Sequence, residues 1–235
     1  MQLSVDKYKA VAVSRGANLD TVDFPLNNRV WLKLRFTELR KHSQKRERLA
    51  GIEEVLNRTN PGPGGFYDDL GNTAGQPRLV DPGPGYDADP GSYKSVRSGW
   101  LAFSGGLIGR RSLDAIDPNG PARFLEYPME WWTYAQTRYD APLTLVYRGL
   151  DPNASYKVRV VYVGDPEDPK MGLLANGSIE IHPFRSKPAP MQPLEFDIPA
   201  DATRGGELKL SWWTEPGKGG FDSSVDIAEV FLIRN

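Results

Sequence analysis

Between Leu143 and Val163 the chain reads LTLVYRGLDPNASYKVRVVYV, and two strict alternations within it point to a β fold. Leu143, Leu145 and Tyr147 share one face of the first run. Tyr156, Val158, Val160 and Tyr162 share one face of the second, with Lys157 and Arg159 opposite. A period of two is the signature of a strand with one face on a core. The joining segment, Gly149-Leu150-Asp151-Pro152-Asn153, is turn chemistry: proline presets φ, and Asp and Asn side chains bond back to their own backbone. The pattern predicts two strands and a turn. Later segments are expected to add to the same sheet, and earlier ones to cover or extend it.

The alternation recurs downstream. Leu194, Phe196 and Ile198 share a face in LEFDIP, as do Leu208, Leu210 and Trp212 in ELKLSWW. Ser178 to Ile181 and Val225 to Ile233 are further strand candidates. Short strands at this spacing, punctuated by Pro and Gly, predict an antiparallel sandwich. The 20 prolines and 24 glycines among 235 residues agree with many turns and few long helices. Residues 59–121 are loop-rich, with short apolar pieces at Phe66-Tyr67, Arg78 to Val80 and Gly99 to Phe103 that suit edge strands.

Residues 27–58 differ. They carry nine Lys/Arg against four Asp/Glu, so this segment is +5 within a chain of net charge −1. Leu32, Phe36 and Leu39 suit a helix face, with Asn27 or Asn28 as cap. Leu49, Ile52, Val55 and Leu56 form the stripe of a second helix from about Ser43, its expected cap, to Asn57. The near-neutral total argues against a nucleic-acid or membrane-surface partner for the chain as a whole. With no cysteine, disulfides and thiolate metal sites are excluded. No apolar run approaches a membrane span. The first residues lack a signal-peptide core, because Lys7 and Lys9 interrupt it. The expected compartment is the cytoplasm, or the periplasm or exterior if the chain is a piece of a longer exported protein.

The chemistry-bearing candidates fall into three sets. The first is aromatic. Trp131-Trp132 and Trp212-Trp213 are adjacent pairs, and adjacent residues of a strand face opposite ways. The alternation in ELKLSWW turns Trp212 inward and Trp213 outward. An outward Trp or Tyr offers a flat apolar face to the C–H face of a sugar ring and a polar tip to its hydroxyls. Trp213, Trp132 and Tyr134, with Arg185 as a planar donor, are therefore the candidate ligand contacts. The second set is oxygen-rich: Asp68, Asp69 and Asn72, with loop carbonyls, match the ligand preference of calcium, while the two Asp equally suit a role in holding a turn. The third is a pair of carboxylates, Glu126 and Glu130, the minimum equipment of a glycosidase. Asp68 with Asp69 and Glu215 with Asp222 are other such pairs. The two histidines, His42 and His182, fall in no catalytic motif, and no phosphate loop or nucleophile elbow is present.

Four stretches of the last ninety residues carry a resemblance: GLDPNASYKVRVVYVGD, LLANGSIEIHPF, LEFDIPADATRGGELKLSWWTEPG and VDIAEVFLIRN. They resemble galactose-binding-domain-like jelly-roll sandwiches, which accompany bacterial glycoside hydrolases and polysaccharide lyases. The resemblance covers about residues 60–235. It implies a carbohydrate-binding or accessory role in polysaccharide degradation, often with a structural calcium ion, and a saccharide or an adjoining catalytic domain as partner. The expectation is thus a mainly β, jelly-roll antiparallel sandwich at 59–235. Residues 1–58 form an N-terminal helical appendage that packs on it and offers a surface for a homo-oligomer or a catalytic domain. The function expected is non-catalytic glycan binding. The alternatives are a glycosidase or lyase using Glu126 and Glu130, and a structural or oligomerisation domain with no glycan ligand.

Overall fold

The computed structural model describes residues 28–70, 76–80, 97–100, 127–131, 133–164, 167–220 and 225–235. Two helices come first, α1 (Asn28–Lys41) and α2 (Lys45–Leu56). The N-cap of α2 is Gln44 and makes no side-chain capping bond, so Ser43 does not cap it as expected. The strands that follow are β1 (Phe66–Asp69), β2 (Arg97–Trp100), β3 (Thr133–Gln136), β4 (Leu143–Arg148) and β5 (Tyr156–Tyr162). After them come β6 (Met171–Ala175), β7 (Ile179–Arg185), β8 (Pro193–Ile198), a short helix α3 (Ala200–Thr203), β9 (Glu207–Thr214) and β10 (Asp226–Arg234).

These strands make two antiparallel sheets, the jelly-roll type of sandwich expected. One has six strands, ordered β2-β3-β10-β5-β8, with β1 also paired to β10. The other has four, ordered β4-β9-β6-β7. The core lies between them. Leu143, Leu145 and Tyr147 of β4, with Leu208, Leu210 and Trp212 of β9, meet Tyr156, Val158, Val160 and Tyr162 of β5 and Val230 and Leu232 of β10. Each such side chain taken from water contributes about 1.5–3 kcal/mol.

One expectation is corrected here. β4 and β5 are not neighbours in one sheet: β4 pairs with β9, and β5 pairs with β10 and β8. The turn between them carries the chain from one layer to the other. Its local chemistry is as read from the residues: Gly149 has φ +72°, and the Asn153 amide donates to Asp151 Oδ1 at 2.9 Å. The apolar faces of β4 and β5 satisfy each other across the core rather than side by side. β3 and β6 had no expected counterpart. In β6, MGLLA has both faces apolar or without a side chain, so no alternation marks it.

A chain of paired polar groups runs through the sandwich. Trp212 Nε1 donates to Tyr162 Oη at 2.9 Å, and Tyr162 Oη lies 2.6 Å from His182 Nε2. Because indole N–H only donates, the Tyr162 proton goes to His182 Nε2. His182 Nδ1–H then donates to the Pro183 carbonyl at 2.8 Å. Burial holds the His182 pKa below its ordinary value, consistent with a neutral ring. This chain of bonds stitches β5 in one sheet to β9 and β7 in the other. His182 is thus a structural element of the core.

At the far end of β5, the Lys187 ammonium is buried between Asp168 Oδ2 and Asp226 Oδ2, each at 2.6 Å. Gly164, at φ +101°, makes room for it: a Cβ there would lie 2.6 Å from Lys187 Nζ. Burial pushes the Asp226 carboxyl up to about 6, against the pull of Lys187. The native state therefore binds more protons than the unfolded chain between the ordinary Asp value and about 6, so this group's contribution to stability falls as pH rises through that window. Denaturation midpoints measured from pH 4 to 7 should show this slope, flattened in Asp226→Asn, on the order of a few kcal/mol or less across the window.

Candidate functional site

Two places on the sandwich gather aromatic and charged side chains. The first is the outer face of the four-stranded sheet. Trp212 is fully buried and Trp213 is 37% exposed, as the alternation in β9 requires. Trp213 pairs with Gly172 of β6. On the other side of Gly172 stands Phe184 of β7, 43% exposed. A Cβ on Gly172 would lie 3.3 Å from the Phe184 ring, so the ring leans over the bare backbone of the glycine. Two open aromatic faces thus flank a strand position that has no side chain. Trp213 and Phe184 stand two strands apart, about 10 Å.

The outward setting of Phe184 agrees with simple alternation along β7, because Ile179 and Ile181 pack on the core and Glu180 is exposed. The departure is His182, which is buried. Two irregularities in the pairing with β6 surround it: between Leu174↔Glu180 and Leu173↔His182, one step on β6 matches two on β7, and between Leu173↔His182 and Met171↔Arg185, two steps match three.

The second place lies between the helices and the outer face of the six-stranded sheet. A cavity of about 620 Å³ there is lined by Leu39, Val55, Arg58, Trp131, Glu229 and Phe231 with their neighbours. At its edge Glu229 Oε1 accepts from Tyr67 Oη at 2.6 Å, and Oε2 accepts from Trp131 Nε1 at 2.7 Å. Arg58, just beyond α2, reaches Glu229 Oε1 at 3.3 Å and Glu130 Oε2 at 2.6 Å. Burial alone would lower the Arg58 pKa, but Glu229 and then Glu130 more than reverse that, so the guanidinium stays charged. Tyr127 stacks on Trp131 with ring centroids 5.4 Å apart. This cluster fastens the helices to the sandwich.

The structure distributes the sequence candidates unevenly. Trp213 lies on the open face. Tyr134 is 3% exposed and offers no stacking face. Arg185 sits over the Phe196 ring of β8 at 5.4 Å, on the opposite side of β7 from Phe184, and so is not part of the Trp213 surface. Trp132, Glu126 and Asn72 lie outside the described residues. Glu130 is buried, with its carboxylate 2.6 Å from Arg58 Nη2. Asp68 does not fit a calcium ligand. Its carboxylate accepts from Arg78 Nε at 2.8 and 3.0 Å and from Tyr147 Oη at 2.9 Å, so a cation there would meet a guanidinium. Asp69, next on the strand, faces the other way. Among the described residues no group of three or more acidic or histidine side chains could hold a metal ion.

No protein-family model matches the chain, and no characterised protein matches it in sequence. Among solved structures it is similar to the family 35 carbohydrate-binding module of Cellvibrio japonicus Abf62, at 12% identity over 43% of this chain and 72% of that one, with a TM-score of 0.32. It is similar to a family 35 carbohydrate-binding module from Clostridium thermocellum at 12% identity, over 43% and 78% of the two chains, with a TM-score of 0.31. A structure of the plant peptide RALF23 in complex with FER and LLG2 contains a chain similar at 16% identity, over 50% and 36%, with a TM-score of 0.33. These likenesses are partial, and the reading of the site rests on its own geometry.

Replacing Arg58 by Met leaves two buried carboxylates without their cation. The expected cost is about 3–5 kcal/mol, and urea denaturation measures it. Limited proteolysis should at the same time cut α2 faster, because its tie to the sandwich is gone.

Proposed function

We propose that this chain is a non-catalytic carbohydrate-binding module and that its ligand stacks on Trp213 and Phe184. The observation that carries the reading is the aromatic pair on the outer sheet face, with the Phe184 ring lying over Gly172, the strand partner of Trp213. A sugar ring is apolar on its C–H faces and polar around its rim. It needs a flat apolar surface it can reach without meeting a side chain, and polar groups at the edge. The outer face of the four-stranded sheet has the first, and Lys209 on β9 and Glu180 on β7, both exposed and four residues along the strand from Trp213 and Phe184, are available for the second. In this reading the chain serves polysaccharide degradation as an accessory module that holds substrate for a separate catalytic unit. The glycosidase alternative draws no support from Glu130, whose carboxylate is committed to Arg58. The oligomerisation alternative would bury the same aromatic pair against a second chain.

Binding to a broad glycan panel, with and without calcium, tests the reading. Wild type should bind at least one glycan saturably and release no product. Trp213→Ala should weaken that binding roughly tenfold or more, as loss of an aromatic anchor does. Failure of well-folded wild type to bind any glycan, together with dimerisation by light scattering that Trp213→Ala abolishes, would transfer the surface to the oligomerisation reading.

A further inference from the structure

The side chains of Lys187, Asp168 and Asp226 meet at one end of the sandwich, brought there by three separate segments. Asp226 opens β10, and its carbonyl accepts from the Val163 amide at 3.2 Å. Lys187 lies two residues past the end of β7, on the connection that leaves the four-stranded sheet for β8 in the other. Asp168 precedes β6, in a segment pinned where the Lys170 carbonyl accepts the Glu215 amide at 3.1 Å.

The cluster differs from a surface ion pair in burial, contact and closure. The Lys187 side chain is fully buried, and that of Asp226 is nearly so, at 4% exposed. Lys187 Nζ touches both carboxylates, 2.6 Å from Asp226 Oδ2 and 2.6 Å from Asp168 Oδ2. Gly164 lies against all three groups. A Cβ there would stand 2.6 Å from Nζ, 2.9 Å from Asp168 Oδ2 and 3.1 Å from Asp226 Oδ2, so glycine backbone occupies space that solvent would otherwise take. Asp168, with 20% of its side chain exposed, is the member of the trio that reaches water.

An amine and a carboxyl so placed are the two halves of an amide. In water they stay apart as solvated ions. Here both are withdrawn from water, and keeping the charges there is costly; condensation removes both charges at once. Fixed contact supplies the orientation that two separate molecules lack. We propose that Lys187 and Asp226 condense into an intramolecular isopeptide bond, with Asp168 as the proton relay. The resting form is the ion pair: burial alone would lower the Lys187 pKa, but Asp226 and then Asp168 more than reverse that. The step begins when a proton passes from Nζ to Asp226 along their hydrogen bond, leaving a neutral amine beside a neutral carboxyl. Burial, which pushes Asp226 up to about 6, favours that protonated acid, the form an amine can attack. The Nζ lone pair attacks Asp226 Cγ. Asp168 takes a proton from the nitrogen and delivers it to the departing Asp226 hydroxyl. The Cγ–O bond breaks, and one water leaves past Asp168. One C–N bond forms, one C–O bond breaks, and nothing is oxidised or reduced. The product ties the connection after β7 to the start of β10, across 39 residues of chain.

Intact-mass spectrometry of the full chain, at purification and after several days at neutral pH, tests this. Wild type should come to weigh one water less than its sequence, and digestion should release a branched peptide joining Lys187 to Asp226. Lys187→Arg keeps the cation but not the amine nucleophile, and should hold full mass. Asp168→Ala should lose the water roughly a hundredfold more slowly. The slope of stability with pH set by Asp226 belongs to the chain before the bond forms, and should fade as the water is lost. Full mass in wild type after incubation overturns the inference. So does a water loss that digestion places on other residues, or one that Lys187→Arg shares. Asp168→Ala reacting as fast as wild type overturns the relay. None of these outcomes depends on what the Trp213 surface binds.

Discussion

The contact between β5 and β9 across the core is the one on which the rest of the molecule depends. Tyr156, Val158, Val160 and Tyr162 press against Leu208, Leu210 and Trp212, and the Trp212–Tyr162–His182 chain of hydrogen bonds runs through their midst. Burial of the apolar faces supplies the driving force, and the polar chain makes one arrangement better than its neighbours. A slip of one residue in either strand would bury Lys157 and Arg159 or Lys209, and would strand the indole N–H, the phenol and the imidazole without partners. Because Trp212 is anchored inward in this way, Trp213 has no choice but to face out. The proposed binding surface is the other side of the same constraint.

Around this core, charge is used as fastening. Arg78 on Asp68 with Tyr147, Lys187 between Asp168 and Asp226, and Arg58 between Glu130 and Glu229 each close a seam: residues 76–80 alongside β4, the end of β5, and the junction of helices and sandwich. In every case a cation sits where two or more oxygen acceptors are withdrawn from water. Such clusters cost more to break than they contribute when formed. They account for acidic residues that, read singly, suggested calcium or acid–base catalysis. The aromatic surface stands apart from all three clusters, which leaves it free to act as a site without loosening the fold.

The aromatic surface and the loops beyond the sheet end differ in how they are held. Trp213 and Phe184 rise from strands in the middle and edge of a sheet, and their places follow from pairing. Tyr139 is held by loops, through Asp140 and the close approach of Gly219.

Read by itself, the sequence determined most strands of the later half of the chain, β3 and β6 excepted, and which side of each alternating strand is wet. Trp212 in and Trp213 out, the turn at Asp151 to Asn153, and the helices at 28–56 follow from period and turn chemistry, which are local. It could not determine which strand lies beside which, since an apolar face is satisfied equally by a neighbour in the sheet or by the facing layer; hence β4 and β5 part company. Nor could it reveal the pairing irregularities that bury His182 between exposed Glu180 and Phe184, the burial of Tyr134, or the engagement of Asp68 and Glu130 by arginines. Each depends on pairing register or on residues distant in the chain. Tyr139, too, is held where Gly219, eighty residues on, closes against its backbone. Local patterns carry the alternation of faces; only tertiary contacts decide what each face meets.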